Sequence, residues 1–524
     1  MTEAHRWTNG HVFTGRRTVR AVLAEGGRIT AAGTEEEVSK ASPTGVEVHD
    51  LQGHLVLPGL VDAHLHIAEL TRFREGLDLR GIPSIITLVE RIRTWVAAHP
   101  QGAVVGRGWH VEQFREGRPP VRDDLDRAVG DRPIILYHAS GHAAVVNSAA
   151  LAVAGLDAAD PDPLGGRVGR NSDGTPNGLL YEEAMRPVSS LASAAFPPPP
   201  ESLARTLRLA ASLGLTTVST MSTSPEELAA LRALADAAAL PVRVRAYVRL
   251  SLLENFGPSD LEGIRGDGFY GVPGVKAFAD GAFGPRTGWL SNAYTDAPGE
   301  FGVPVGTEDG LAAGLARAAG YGLAPAVHAI GDRAVARVLR LLERVAGATR
   351  APGRIEHAAL TPPELLPAID RVRPVLVVQP GFVWSDAWLS RRLGAARARW
   401  AYAFRTLADR GHLLAGSSDA PYDPLDPWRG LAACVARSDP EGRSANPDPA
   451  EAIPAAEAVL LYTANAGRAL GEPDLGSLEV GARADLVLTA ATDLPRAVAA
   501  GAAVVQETWV DGRPVPTREG SNGQ

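Results

Sequence analysis

From Leu55 onward the chain repeats one unit, a short apolar run suited to a strand followed by a helix with one apolar face. Strand-like runs occur at Val56–His66, Leu215–Ser219, Val242–Val248, around Lys276, and at Ala324–His328, Arg354–His357, Val375–Gln379 and Leu413–Ser417, eight in all. The helices between them carry their own start and stop signals. Leu203–Leu213 is stopped by Gly214, and Ser224-Pro225-Glu226-Glu227 offers an N-cap, a proline at the first helical position and a capping-box glutamate. Arg333–Val345 places Val335, Val338, Leu339 and Leu342 on one face. Eight such units predict an α/β chain built on a (β/α)8 barrel, with function at the carboxyl ends of the strands.

Two stretches break the pattern. Residues 6–57 and the segments Ala484–Leu488 and Thr508–Val515 are β-rich, so both ends of the chain are expected to pair into one small β-sandwich. Residues 70–200 interrupt the alternation after the first strand and read as an insertion covering one end of the barrel. The run Pro197-Pro198-Pro199-Pro200 marks its boundary. At 524 residues the chain exceeds what one core organises. The expected division is therefore 1–56 and 471–524 for the sandwich and 57–470 for the barrel.

Chemistry-bearing residues fall where a barrel would use them. His64 and His66 lie two apart on a strand and face the same side, so they can share one metal ion. His328 and His357 end two further strands, and Asp419 follows the last. Lys276 is one of only two lysines, although Lys and Arg together number 52, and it sits in the apolar run Gly274–Gly281. A lysine amine can react once neutral, which a guanidinium cannot do. With CO2 it gives a carbamate, an anionic oxygen ligand able to bridge two metal ions. The plain alternative is a lysine paired with Asp280.

Other functions are disfavoured. The net charge of −8 is spread, with no basic stripe, which argues against nucleic acid as a partner. A single cysteine, Cys434, excludes an internal disulfide and a cysteine-based zinc motif. There is neither an apolar signal core nor a run of transmembrane length, so the chain is expected to be cytoplasmic and free of membrane.

The motifs Pro58–His66, Val327–Asp332, Ile355-Glu356-His357 and Gly416–Ala420 resemble those of the amidohydrolase superfamily of metal-dependent hydrolases, as does the return segment Gly476–Leu486. Gly106-Arg107-Gly108-Trp109, Gly141-His142-Ala143 and Lys276–Gly281 with Arg286 and Thr287 are similar to the N-substituted formamide deformylase branch. The resemblance implies His64, His66 and Asp419 on one divalent ion, His328 and His357 on another, and carboxylated Lys276 between them. Zinc suits such a donor set, with one ion or two. It further implies attack on a carbonyl by metal-held hydroxide, with Asp419 as general acid and base and His142 as donor to the carbonyl oxygen.

The implied substrate is a small amide or formamide cleaved at a non-peptide C–N bond. Cyclic amide hydrolysis, deamination or a catalytically silent regulator stand as alternatives. His142, Arg286 and Trp109 are the expected substrate contacts. Arg286 could equally be a salt-bridge partner, and Trp109 a packing residue under the insertion. Asp62 and Asp332 are expected to hold backbone near their histidines, and Glu182 to be structural. His110, Thr220 and Met221 stand where acidic residues are usual in such relatives, so the substrate does not follow from the resemblance. A homodimer is implied by the family alone.

Overall fold

In the computed structural model, residues 3–516 are described apart from 158–159, 164, 196–198, 256–267, 346 and 348–351. Eight parallel strands form one sheet in chain order: β1 (Leu60–Leu65), β2 (Leu215–Thr223), β3 (Arg243–Arg249), β4 (Tyr270–Phe278), β5 (Ala324–Ala329), β6 (Arg354–His357), β7 (Val375–Val378) and β8 (Leu414–Gly416). The fold is a TIM-like α/β barrel. Its seam closes beyond the last strand: the Asp419 N–H donates to the His64 carbonyl and the His66 N–H to the Ala420 carbonyl, each at 2.8 Å. Asp62, fully buried, accepts from the backbone N–H groups of His64 and Ser418, both at 3.1 Å, which ties the first strand to the last.

The helices form where their signals stand. In Asp332–Val345 the predicted face of Val335, Val338, Leu339 and Leu342 is buried. Pro200–Ser212 opens directly after Pro199, while Pro197 and Pro198 lie outside the described residues. Ser224 caps Pro225–Asp236 by accepting from the Glu227 N–H. The capping box is not completed, because the Glu227 carboxylate turns inward and accepts from the Thr220 hydroxyl at 2.9 Å.

Between β1 and β2 the insertion builds its own six-stranded sheet, in the order Gly166–Arg170, Pro176–Glu182, Ala143–Val146, Ile134–His138, Val104–Trp109, Leu77–Asp78. At the chain ends, Leu55–Pro58 lies between Leu486–Thr489, antiparallel, and His11–Phe13, parallel. A four-stranded sheet holding Ala4–Thr8 stacks on it around Trp7, Val22, Leu486 and Trp509. Arg243 of β3 is fully buried and reaches the Asp485 carboxylate at 2.7 Å and Asp511 at 2.5 Å, which fastens the barrel to this sandwich. No helix among the described residues is long and apolar enough to cross a membrane.

Burial pushes the Glu227 carboxyl from its ordinary 4.5 up to about 7, against the pull of the Thr220 hydroxyl. A carboxyl raised in this way favours folding below its unfolded pKa, and that contribution is lost as pH climbs through the folded value. Glu227→Gln is therefore expected to gain about 2 kcal/mol of stability on the parent between about pH 5 and about pH 8, measured by denaturant titration.

Candidate metal centre

His64, His66, Lys276, His328, His357 and Asp419 all line one cavity of about 180 Å³ at the carboxyl end of the barrel. All six are buried. His64 is the penultimate residue of β1 and His66 directly follows the strand, and their Nε2 atoms stand 3.3 and 3.2 Å from Asp419 Oδ1. One donor atom from each of His64, His357 and Asp419 lies within 4.8 Å of the others, a group able to hold a cation. The His328 ring is next, its centroid 4.5 Å from that of His357.

Each imidazole is held through one nitrogen, leaving the other for a ligand. His64 Nδ1 meets Glu356 Oε2 at 2.5 Å, His66 Nδ1 the Met221 carbonyl at 3.2 Å, and His357 Nδ1 the Gln379 amide oxygen at 2.7 Å. His328 is held through Nε2, which donates to the Gly281 carbonyl at 3.0 Å and leaves Nδ1. Backbone strain also serves the site. His357 and Asp419 have φ of 73° and 57°, a left-handed conformation that side-chain-bearing residues rarely adopt. In His357 it breaks the strand alternation, so both Glu356 and His357 face inward.

The donor set fits a divalent cation. His64 Nε2, Asp419 Oδ1 and Lys276 Nζ are buried without a hydrogen-bond partner among the described residues, which is costly unless a ligand completes them. Burial pushes His357 down to about 3 and His328 well below its ordinary range, so both offer lone pairs. Burial would raise Asp419, but the neighbouring His64, His66 and His357 outweigh it and hold the carboxylate well below its usual range. For Lys276, burial dominates and brings the amine down to about 8, against the pull of Glu356 and Asp419.

His142 also lines the cavity, from the insertion. Its Nδ1 donates to Glu182 Oε2 at 2.8 Å, and Glu182 Oε1 accepts from the Thr287 hydroxyl at 2.6 Å. Burial alone would lower His142, yet Glu182 overrides it and holds the imidazole raised. Glu182, expected to be structural, thus orients a cavity residue.

Two of the expected substrate contacts are not brought here. Arg286 pairs with Asp296 at 2.9 Å and lies outside the lining. Trp109 is packed in the insertion core against Phe114 and His138, its Nε1 bound to the Leu136 carbonyl at 2.8 Å. Asp332 holds the Ser291 backbone instead of that of His328. Asp280 takes the latter role, accepting from Ile330 at 3.0 Å and from Gly331 and Trp289 at 2.8 Å. It accordingly serves backbone N–H groups and forms no ion pair with Lys276.

A further cluster escaped the sequence reading. Tyr422 donates to Glu69 Oε2 at 2.7 Å, and Arg107 stands 3.0 Å from the same oxygen with its guanidinium over the Tyr422 ring. The Tyr422 ring lies edge-on to His66, 5.1 Å between centroids. A signal existed: Glu69 and Tyr422 each come three residues after a cavity histidine or aspartate, and Arg107 belongs to a quoted motif.

A barrel with buried histidines and an aspartate gathered at its strand ends defines a metal-dependent hydrolase. Residues 47–516 match the model of the amidohydrolase family, and the chain belongs to that family. It is 33% identical over 502 residues to the amidohydrolase YtcJ of Bacillus subtilis (strain 168), covering 92% of this chain and 93% of that one. It is 29% identical to the N-substituted formamide deformylase of Arthrobacter pascens, covering 90% and 89% of the two chains. The crystal structure of an uncharacterized metal-dependent hydrolase from Pyrococcus furiosus superposes with a TM-score of 0.73 at 32% identity, over 93% of this chain and 98% of that one.

Glu356 carries the orientation of His64, and among the described residues its carboxylate's other hydrogen bonds come from Arg354. Glu356→Gln should lower stability by about 3–5 kcal/mol through the uncompensated guanidinium. It should also weaken divalent-metal binding roughly 10–100-fold by loosening His64. Thermal denaturation and metal titration of the variant measure the two effects separately.

Proposed function

We propose that the protein hydrolyses the C–N bond of a small non-peptide amide, with N-substituted formamides and N-acyl amines as the first class to examine. The observation carrying this reading is the convergence of His64 Nε2, Asp419 Oδ1 and Lys276 Nζ, three buried polar atoms without hydrogen-bond partners among the described residues, on a cavity also lined by His66, His328 and His357. His64, His66 and Asp419 would hold one divalent ion, and His328 and His357 a second. Lys276 would bridge them once its amine has combined with CO2 and released a proton. Zinc suits the mixture of imidazole and carboxylate donors.

Such an ion supplies a water acidified toward neutral pH and polarisation of the scissile carbonyl. The remaining chemistry belongs to the chain. Asp419, unprotonated at rest, accepts the proton of the attacking water and passes it to the leaving nitrogen. His142, fixed through Nδ1 by Glu182, presents its other nitrogen to the carbonyl oxygen as charge builds there. Residues of the insertion, among them Arg107, Tyr137, His142 and Glu182, line the cavity beside the metal donors. Cytoplasmic action is part of the same reading, since the one cysteine, Cys434, is buried and unpaired, as suits a reducing compartment.

The test is metal content by elemental analysis of protein purified with bicarbonate, together with turnover of a formamide panel. At least about two ions per chain are expected in the parent and fewer in Lys276→Ala. Asp419→Asn is expected to retain more metal than activity, with kcat reduced at least about 100-fold. A parent protein that carries no metal and takes none up would sink the hydrolase reading.

A further inference from the structure

A second cluster of metal-ligating side chains lies in the terminal sandwich, away from the barrel cavity. Ala4–Thr8 runs parallel to the edge strand Glu47–Asp50, with His5 beside Glu47 and Trp7 beside His49. Because side chains alternate along a strand, His5, Trp7, Glu47 and His49 share one face. Trp509 from the facing sheet closes over them, its ring centroid 5.2 Å from His5, 5.1 Å from Trp7 and 5.0 Å from His49.

The donor atoms converge. His5 Nδ1 is 3.1 Å from His49 Nε2, and the Glu47 carboxylate places Oε2 3.5 Å from the first and its other oxygen, Oε1, 3.9 Å from the second. With metal–nitrogen bonds of about 2.0–2.1 Å at tetrahedral angles, two ligand atoms sit roughly 3.3 Å apart. One donor atom from each of the three residues lies within 4.8 Å of the others, so an ion could enter with small side-chain rotations. His5 is only 5% exposed, and its Nε2 has no hydrogen-bond partner among the described residues. When Nδ1 binds an ion, Nε2 carries the proton, and Glu3 Oε1 stands 4.0 Å away on that side. A carboxylate near the outer N–H is a recurrent accompaniment of a ligating histidine.

We infer that His5, Glu47 and His49 form a divalent-metal site, with zinc as the favoured ion and the fourth position left to water. The observation that carries it is the convergence of two imidazole nitrogens and a carboxylate on a single sheet face. The ion would staple the edge strand to its neighbour beneath Trp509. Copper and nickel would also bind such a nitrogen-rich set. The inference is independent of the barrel centre, because none of its residues lines that cavity.

The experiment compares parent, His49→Ala and Glu47→Gln proteins, each loaded with zinc, passed through a desalting column and measured by elemental analysis. The parent is expected to hold one ion per chain more than His49→Ala, with Glu47→Gln binding more weakly. The barrel ligands are unchanged in all three, so the difference reads this site alone. The same count in parent and His49→Ala would overturn the inference. Cobalt(II) absorption on a His64→Ala/His66→Ala protein gives a second reading. A tetrahedral visible band that weakens on adding His49→Ala supports the site, and identical spectra with and without His49→Ala overturn it.

Discussion

Glu356 is a charge placed inside the barrel, where an isolated carboxylate would be very costly. It persists because Arg354, two residues earlier on the same strand, donates Nε to one oxygen at 2.8 Å and Nη2 to the other at 3.0 Å. The guanidinium is completed in turn by the Tyr247 hydroxyl at 2.9 Å and the Ala63 carbonyl at 2.7 Å. What remains of the carboxylate takes the proton of His64. Replacing the set by apolar side chains could well stabilise the barrel. The polar chain gains a histidine fixed in tautomer and angle, with its other nitrogen turned to the cavity. Burial of Glu356 thereby sets the geometry on which the metal donors depend.

The same economy runs through the neighbouring contacts. Gln379 holds His357 with its carbonyl and spends its amide on Ser417 at 2.9 Å, so β7 and the end of β8 steady a residue of β6. Asp62 serves both His64 and Ser418. The supports of the site are the bonds that close the barrel. Its geometry is consequently as rigid as the seam itself, a property suited to a centre whose donors must keep their spacing while substrate enters.

Much of this was legible in the chain. Strands were marked by apolar runs and helices by caps, and the barrel follows from their alternation. The histidines were legible because strand ends are where barrels gather function. What stayed hidden depends on three-dimensional neighbours. Glu227 carries the sequence signature of a capping box, but at that point the helix start lies over Thr220, and a buried hydroxyl competes for the carboxylate better than an exposed N–H does. Asp332 directly follows the histidine motif, yet Asp280, from another strand, reaches the backbone beyond His328. Arg286 occupies a promising motif but finds Asp296 beside it. Glu69, Arg107 and Tyr422 are far apart in sequence, and only the packing of the insertion on the barrel makes them one cluster.

The strand Leu55–Pro58 leads directly into the first barrel strand and is clasped on one side by residues near the start of the chain and on the other by Leu486–Thr489. During synthesis that second side stays bare until Leu486–Thr489, several hundred residues further along, has been made. Contacts of such long sequence separation form late and slowly, and an apolar strand edge waiting for its partner is an invitation to aggregation. The sandwich is therefore completed only after the barrel between its two halves has been made.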